Sequence, residues 1–243
     1  MRKDAVSINR YAKVAGLAYL IIITAGIFAE FFVRSRLIVW GDASATARNI
    51  TGSELLFRSA VASEFVMLVC DVLVALVLLV VFEGVSRSLA LLAAFLRLVH
   101  AAVVAGNLLN TYVPLLLLSD SSQPTGFSAA QLHALVLVFL QAHSYGYVIG
   151  LVFFGVQCLV LGYLVFQSGF VPKVLGVLLV LGGAGYLIDG FARTLISRYD
   201  DYQTIFAVVV FVPAFVGELS FAAWLLVKGV NEAAVNRRLV AAS

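Results

Sequence analysis

Six long apolar runs occupy most of this chain, and several of them enclose ionisable side chains. A run of about 20 apolar residues is long enough to cross a bilayer as an α-helix. Ionisable groups are costly in hydrocarbon, and they usually face a partner or a water-filled cavity inside a helix bundle. We therefore predict membrane-spanning helices that pack around a polar interior. The enclosed ionisable residues are Glu64, Asp71, Arg97, His100, His143, Asp189 and Glu218.

The composition excludes a soluble globular protein of this length. Hydrophobic residues make up 63% of the 243 residues and charged residues only 12%, and the mean hydropathy is +1.06. Because little sequence lies outside the runs, we predict a single all-α domain over residues 1–243, an integral membrane bundle of six transmembrane helices. The predicted spans 1 to 6 are residues 14–33, 59–82, 88–118, 129–166, 173–195 and 204–228.

The flanking charges and loops predict a topology. If the amino terminus is cytoplasmic, nine Lys and Arg residues lie on the inner side and six, Arg34 among them, on the outer side. The positive-inside rule then places both termini in the cytoplasm of a multi-pass cell-membrane protein. Asp42 is a capping candidate at the start of residues 41–58, which predict a short outer surface helix between spans 1 and 2. The net charge of +3 comes from these flanks and gives no reason to expect nucleic acid.

Two of the predicted spans have unusual features. The fourth run, residues 129–166, would be about 57 Å long as one continuous helix, which exceeds the bilayer thickness. It therefore tilts, projects beyond the membrane or breaks near Ser144–Gly146, where a break would place His143 at a discontinuity. Pro213 predicts a kink in the sixth span, several residues before Glu218.

Three charged residues are expected to form an ion-paired layer. Asp71, Arg97 and Glu218 each lie about ten residues from the inner end of their spans, so they reach similar depths. A guanidinium pairs well with carboxylates, and an unpaired member would be costly in hydrocarbon. We interpret this layer as structural, fixing how the helices pack.

A second polar layer is expected further out. Glu64 lies seven residues before Asp71 on one helix face, and His100 shares a face of span 3 with Asn107. Tyr186, Asp189 and Arg193 similarly share a face of span 5. His143 on span 4 approaches the same depth if that helix is centred in the bilayer. We therefore take Glu64, His100, His143 and Asp189 as candidate catalytic residues, and Asn107, Tyr186 and Arg193 as candidate binding residues.

The chemistry of the outer layer stays open at this point. Carboxylates beside histidine can ligate a metal, transfer protons or act as acid and base. Zinc needs three or four ligands, which the four candidate catalytic residues can supply in principle. The chain contains neither an HExxH nor a GxSxG motif, and a single histidine is more often a hydrogen-bonded core residue. The sequence therefore specifies no metal and no cofactor.

Three segments resemble a known family. TARNITGSELLFR at 46–58, the run at 141–189 and VGELSFAAWLLVKGV at 216–230 resemble the bacterial DUF4386 family. The resemblance extends over nearly the whole chain. It implies a multi-pass inner-membrane protein of bacteria, but no reaction and no catalytic residues, because the family has no established activity. It is strongest where spans 4 and 5 join, at Gly162, Tyr163, Ser168, Gly169, Pro172, Leu175 and Gly176.

Three functional interpretations fit these residues. The first is a structural, regulatory or small-ligand-binding membrane protein, whose purely structural form predicts a dry, fully paired interior. The second is an intramembrane enzyme that acts on a lipid or isoprenoid through the outer polar layer. The third is a small proton-coupled transporter, although the two halves of the chain show no internal repeat. The expected partners are the lipid bilayer and a small hydrophobic ligand, and the sequence does not specify an oligomeric state.

Overall fold

A computed structural model of the protein describes residues 7–119, 126–235 and 237. The secondary structure of these residues is helical, with no strand among them. In chain order the elements are α1 (Ile8–Ile27), a π-helical segment (Phe28–Arg34), α2 (Ser35–Leu37), α3 (Ala43–Gly52), α4 (Glu54–Phe82), α5 (Arg87–Asn107), α6 (Leu109–Leu118), α7 (Ala129–Ser168), α8 (Lys173–Leu195), a 3₁₀ turn (Tyr199–Tyr202) and α9 (Gln203–Val227).

The predicted fold class is confirmed. Within the described part of the chain, six helical stretches are long and apolar enough to cross a membrane. These stretches are span 1 (Ile8–Leu37), span 2 (Glu54–Phe82), span 3 (Arg87–Leu118), span 4 (Ala129–Ser168), span 5 (Lys173–Leu195) and span 6 (Thr204–Val227). Span 1 is longer than its predicted run because polar residues near both ends, which the apolar pattern leaves out, are also helical.

The short helix predicted between spans 1 and 2 is present as α3. Asp42 caps it, accepting a hydrogen bond from the Ala45 N–H at 2.8 Å. The Thr46 side chain ties α3 to the segment before it, because its hydroxyl oxygen accepts from the Val39 N–H at 2.9 Å and donates to the Val39 carbonyl at 3.1 Å. These bonds fix α3 against the end of span 1.

Spans 1 and 3 differ in detail from the predicted helices, and span 4 takes one of its predicted alternatives. Span 1 passes through a π-helical segment, and span 3 is interrupted at Leu108, before Pro114 in the same span. Span 4 is a continuous helix of 40 residues, so the break considered near Ser144 does not occur. Pro213 lies inside α9, which continues through it to Val227, and the kink expected there stays a prediction.

Contacts within the chain divide it into two compact units. Unit 1 comprises Met1–Ile21, Cys70–Ala101 and Gly150–Ser243, and unit 2 comprises Ile22–Val69 and Ala102–Ile149. Spans 1 to 4 are each divided between the two units, whereas spans 5 and 6 belong to unit 1 alone. The hydrophobic core of unit 2 includes Ala29, Val33, Ile50, Phe57, Ala60, Val61, Leu132, Val136 and Leu140.

Glycines bring spans 4 and 5 close together within unit 1. A Cβ atom added at Gly183 would lie 2.6 Å from the carbonyl oxygen of Gly155, and one added at Gly162 would lie 2.6 Å from that of Gly176. The two glycine pairs are seven residues apart on both helices, so they repeat the same contact two turns along. Small residues permit this backbone approach, which compensates for the absence of a hydrophobic driving force in lipid.

The first and last described segments of unit 1 contact each other. The Val230 N–H donates to Asn9 Oδ1 at 3.0 Å, and the Asn9 N–H donates to Glu232 Oε1 at 3.3 Å. The Ser7 hydroxyl also donates to Glu232, and these hydrogen bonds hold the pKa of the Glu232 carboxyl below its usual range. Residues 7–9 and 229–232 therefore lie together at one end of spans 1 and 6.

Candidate functional site

Unit 2 contains a largely buried cluster of charged, amide and imidazole side chains, which we call the Glu64 cluster: Glu30, Arg34, Glu64, Asn107 and His143. Arg34 Nη1 donates to Glu64 Oε1 at 2.9 Å, while Arg34 Nε donates to Glu30 Oε2 at 2.8 Å. The side chain of Glu64 is 1% exposed, that of Arg34 11% and that of Glu30 60%. The cluster therefore runs from an exposed carboxylate, through a guanidinium, to a fully buried carboxylate.

The π-helical segment Phe28–Arg34 supplies the first two members of this cluster. Glu30 and Arg34 are four residues apart, and their side chains form an ion pair. The Ser35 N–H donates to the carbonyl of Glu30, five residues earlier, which is the hydrogen-bond spacing of a π-helix. Such segments are rare and frequently occur at functional sites. The unusual backbone therefore coincides with the residues that reach Glu64.

Asn107 orients His143 in the cluster. Asn107 Nδ2 donates to the backbone carbonyl of His143 at 2.8 Å and lies 3.2 Å from its Nδ1. Asn110 Nδ2 donates to Asn107 Oδ1 at 2.9 Å, which fixes the amide with its NH₂ group toward the imidazole. His143 Nδ1 lies nearer to the Asn107 amide nitrogen, at 3.2 Å, than to the Asn107 backbone carbonyl oxygen, at 3.5 Å. We therefore assign Nδ1 as an acceptor and Nε2 as the protonated nitrogen. Nε2 lies 3.8 Å from Glu64 Oε1, beyond hydrogen-bonding distance.

Local sequence explains how an asparagine reaches this position. Span 3 is interrupted at Leu108, and Pro114 beyond it has no N–H to bond the carbonyl of Asn110. Gly146, on span 4, packs directly against the Asn107 side chain, where a Cβ atom would overlap the amide oxygen. A larger residue at position 146 would displace the amide that holds His143.

One oxygen of the buried Glu64 carboxylate has no hydrogen-bond donor among the described residues. Glu64 Oε1 accepts from Arg34, whereas Glu64 Oε2 is buried and has no hydrogen-bond partner among the described residues. A buried carboxylate oxygen without a donor is costly, and buried polar atoms are rarely left in that state. The cluster can therefore accept a hydrogen bond from a bound group, and it also places an imidazole N–H beside a carboxylate.

Unit 1 contains a second buried group, which we call the Arg97 cluster: Tyr19, Asp71, Arg97, His100 and Phe154. Arg97 is 1% exposed, its Nη2 lies 2.7 Å from Asp71 Oδ1, and its Nη1 donates to the Tyr19 hydroxyl at 2.7 Å. The guanidinium carbon lies 4.5 Å from the Tyr19 ring centroid and 5.2 Å from that of Phe154. A carboxylate and two aromatic faces thus surround the buried cation.

Two further ionisable residues of unit 1, His100 and Glu218, have different neighbours. His100 Nε2 lies 4.0 Å from Asp71 Oδ2, and its ring lies 5.0 Å from Phe154. Glu218 Oε1 accepts from the Tyr186 hydroxyl at 2.7 Å. Of the expected ionic layer, Arg97 and Asp71 are in contact, but Glu218 takes a tyrosine in place of the guanidinium.

Asp189 and Arg193 form a smaller group with Tyr199 near the end of span 5. Arg193 Nε donates to Asp189 Oδ2 at 3.1 Å, and the Tyr199 hydroxyl donates to Asp189 Oδ1. The Arg193 guanidinium lies 4.9 Å from the Tyr199 ring centroid. Burial, and then the hydrogen bond with Asp189, raise the pKa of Tyr199 to about 12. This group fixes the loop after span 5.

Replacing Tyr199 with phenylalanine should destabilise the protein by about 1.5 kcal/mol near neutral pH, because a hydrogen bond to a carboxylate is lost. The pKa of Tyr199 is higher in the folded chain than its ordinary value of 10.0. The stability that its hydrogen bond contributes is therefore fully present when the pH is below this ordinary value. It is lost as the pH rises toward about 12. Thermal melts across this range should show the difference between wild type and Tyr199→Phe shrink above pH 10. Tyr202→Phe, at an exposed tyrosine, is the control, and equal melts for wild type and Tyr199→Phe near neutral pH would contradict the bond.

The four candidate catalytic residues belong to three different groups. Glu64 and His143 lie together in unit 2, while His100 approaches Asp71 and Asp189 pairs with Arg193, both in unit 1. Over the described residues, no group of three or more His, Cys, Asp and Glu side chains is arranged to hold a metal ion. Among the candidate binding residues, Asn107 orients His143, Tyr186 binds Glu218 and Arg193 binds Asp189.

Sequence reasoning missed several members of these clusters, among them Glu30, Arg34 and Tyr19. Arg34 follows the apolar run of span 1, so we assigned it to the outer flank, whereas it reaches inward to Glu64. Its spacing from Glu30, four residues earlier, was the available signal. Tyr19 lies within an apolar run without polar neighbours and gave no signal of its contact with Arg97.

Comparison with known proteins identifies the family and no activity. A protein of Archaeoglobus fulgidus, described as an uncharacterized protein, is 29% identical over 170 residues, covering 70% of this chain and 83% of its own length. No solved structure matches the chain. The resemblance had implied a bacterial protein, and this relative comes from an archaeon. The family described as "Domain of unknown function (DUF4386)" matches residues 14–229. Because this match extends over most of the chain, the protein belongs to the DUF4386 family, with the architecture of a multi-pass membrane protein in a lipid bilayer.

Proposed function

We propose that this protein binds a small ligand inside the membrane at the Glu64 cluster. The ligand carries an ammonium or hydroxyl group, which donates to Glu64 Oε2, and an apolar remainder. The observation that carries the proposal is the buried oxygen of Glu64 that has no donor among the described residues. A ligand donor at this position gives the oxygen the hydrogen bond that a buried carboxylate requires.

The charges of the cluster support a donor group on the ligand. Two carboxylates, Glu30 and Glu64, face one guanidinium, Arg34. A donor at Glu64 Oε2 compensates the buried carboxylate, and an ammonium group also balances the excess negative charge. A ligand carboxylate or phosphate would instead add repulsion.

The surroundings of the cluster support an apolar ligand body. Ala29, Val33, Ala60 and Leu140 belong to the hydrophobic core of unit 2 and lie within one turn of cluster residues along their own helices. Binding sites for small molecules usually combine such apolar walls with a few polar groups that fix orientation. Exposed Glu30 provides a polar approach to the buried end.

A second candidate function is enzymatic action on a lipid or isoprenoid within the membrane. The distance between the His143 imidazole and the Glu64 carboxylate favours it. His143 Nε2 lies 3.8 Å from Glu64 Oε1, and Asn107 holds the imidazole in place. A hydroxyl group that bridges the two from one side could exchange a proton with the carboxylate while the imidazole N–H stabilises negative charge. This role uses the same site, so ligand binding at Glu64 is its first requirement.

The remaining sequence predictions extend the proposal to the whole chain. We place the protein in the cell membrane as one domain, with both termini in the cytoplasm. The contact between Asn9 and Val230 supports termini on the same side, and the excess of Lys and Arg on those flanks supports the inner side.

The proposal is tested by thermal melts of the detergent-purified protein with three probes of equal chain length: hexylammonium, hexanol and hexanoate. Hexylammonium or hexanol should raise the melting temperature of wild type. A probe at ten times its Kd stabilises the folded protein by about 1.4 kcal/mol. Glu64→Gln should abolish the shift, because it converts the free acceptor oxygen into an NH₂ donor of the same shape. Hexanoate should give no shift specific to wild type.

Glu54→Gln is the matched control on the same helix. Glu54 is exposed and forms an ion pair with Arg58 that contributes little to stability, so this variant should respond to the probes as wild type does. If the probes shift wild type and Glu64→Gln equally, or if only hexanoate acts, the Glu64 cluster is not the proposed site.

A further inference from the structure

Unit 1 contains a small cavity next to Arg97 that does not involve the Glu64 cluster. The cavity has a volume of about 10 Å³ and lies between spans 2, 3 and 4. Its walls are mostly apolar, and the residues that line it are Ala75, Leu78, Ala90, Ala93, Ala94, Arg97, Gln157, Leu161 and Leu164. Each of these side chains is buried.

Two polar side chains line this cavity, and one of them has an unused donor. Arg97 Nη1 donates to Tyr19 and Nη2 lies against Asp71, but Nε is buried and has no acceptor among the described residues. Gln157 is 1% exposed, and within the described part of the chain its side-chain oxygen has only a long contact of 3.7 Å from the Cys158 thiol. Both side chains can therefore take a further hydrogen bond.

We infer that this cavity is a hydration site, in which one water molecule accepts from Arg97 Nε and bonds to the side-chain amide of Gln157. Three physical arguments decide the occupant. A cavity of about this size is the smallest that holds a water molecule and is too small for a lipid group. Arg97 is already neutralised by Asp71, so the site needs a neutral acceptor and not an anion. Arg97 and Gln157 supply the two or more polar partners that a buried water requires.

The water has a consequence for the ion pair. It gives the guanidinium an additional hydrogen bond, which offsets part of the desolvation that burial imposes on Arg97. The interior of unit 1 is then hydrated at its most buried cation, in place of the dry and fully paired interior that a purely structural role predicts.

Ala94→Val tests this inference, because it fills the cavity from the α5 wall. Filling a dry cavity should raise the melting temperature, whereas displacing a bonded water strands Arg97 Nε and should lower it. We expect a decrease of at least about 2 °C relative to Ala62→Val, which makes the same change at an exposed position of span 2. A melting temperature above that of the control overturns the inference.

An experimental density map at a resolution that shows ordered waters elsewhere provides the second measurement. It should contain one spherical feature within about 3.2 Å of both Arg97 Nε and the Gln157 side chain. An empty cavity, or an elongated feature that continues into the lipid, contradicts the water site. Both tests are independent of Glu64, so they can fail while the proposed ligand site stands.

Discussion

Replacing Arg97 with leucine should be among the most destabilising single substitutions in this protein, at about 3–5 kcal/mol. The substitution removes the cation 2.7 Å from Asp71, both of them fully buried, and leaves a carboxylate unpaired in the helix interior. It also removes the donor to the Tyr19 hydroxyl. For a chain of this length, each kcal/mol lowers the melting temperature by about 2–4 °C. Thermal melts of the detergent-extracted protein measure the effect.

A double substitution separates the ion pair from the loss of packing. Arg97→Leu combined with Asp71→Leu removes both charges, and replacement of a whole buried pair by apolar residues is often neutral. The double variant should therefore recover much of the stability that Arg97→Leu loses. Arg87→Leu, at the exposed start of the same helix, controls for the loss of an arginine. An unchanged melt for Arg97→Leu, or additive losses in the double variant, would refute the buried pair.

Gly183→Ala should destabilise the protein by about 1–3 kcal/mol, although alanine is the better helix former. The new methyl group would lie 2.6 Å from the carbonyl oxygen of Gly155, and backbone atoms cannot move aside as a flexible side chain can. Spans 4 and 5 would have to separate. Thermal melts, with the yield of folded protein as a second measure, report the change.

Gly26→Ala is the matched control, because it makes the same change inside a span where nothing lies within 4 Å. There the helix propensity of alanine dominates, so the substitution should be neutral or stabilising by up to about 1 kcal/mol. Opposite signs at the two glycines support the close approach of spans 4 and 5. A similar gain at Gly183 would contradict it.

The fold could be predicted from the sequence because its main determinant is local. Apolar length and internal backbone hydrogen bonding specify spanning helices before any tertiary contact is known. Asp42 likewise predicted the start of α3 through its capping chemistry alone. The π-helical segment Phe28–Arg34 was not foreseen, because its hydrogen-bond shift is a backbone property that apolar periodicity does not record.

The partners of the buried polar groups were predicted less well. Depth counted along each helix correctly predicted that Asp71 contacts Arg97. It also predicted that Glu218 contacts Arg97, whereas Glu218 binds Tyr186. Counting gives height and not the rotation of a helix about its axis, so it cannot select among neighbours at one level. The same limit explains why Glu64 was grouped with His100 and Asp189 when its partners are Arg34 and His143.

Analysis of bound small molecules is the most direct test of a ligand site at Glu64. Wild type, Glu64→Gln and Glu54→Gln would be purified in parallel under gentle extraction, and the released compounds quantified by mass spectrometry. We predict a near-stoichiometric compound with an ammonium or hydroxyl group on an apolar body, retained in wild type and Glu54→Gln and lost in Glu64→Gln. Equal amounts of every bound compound in the three proteins would contradict a ligand held by Glu64.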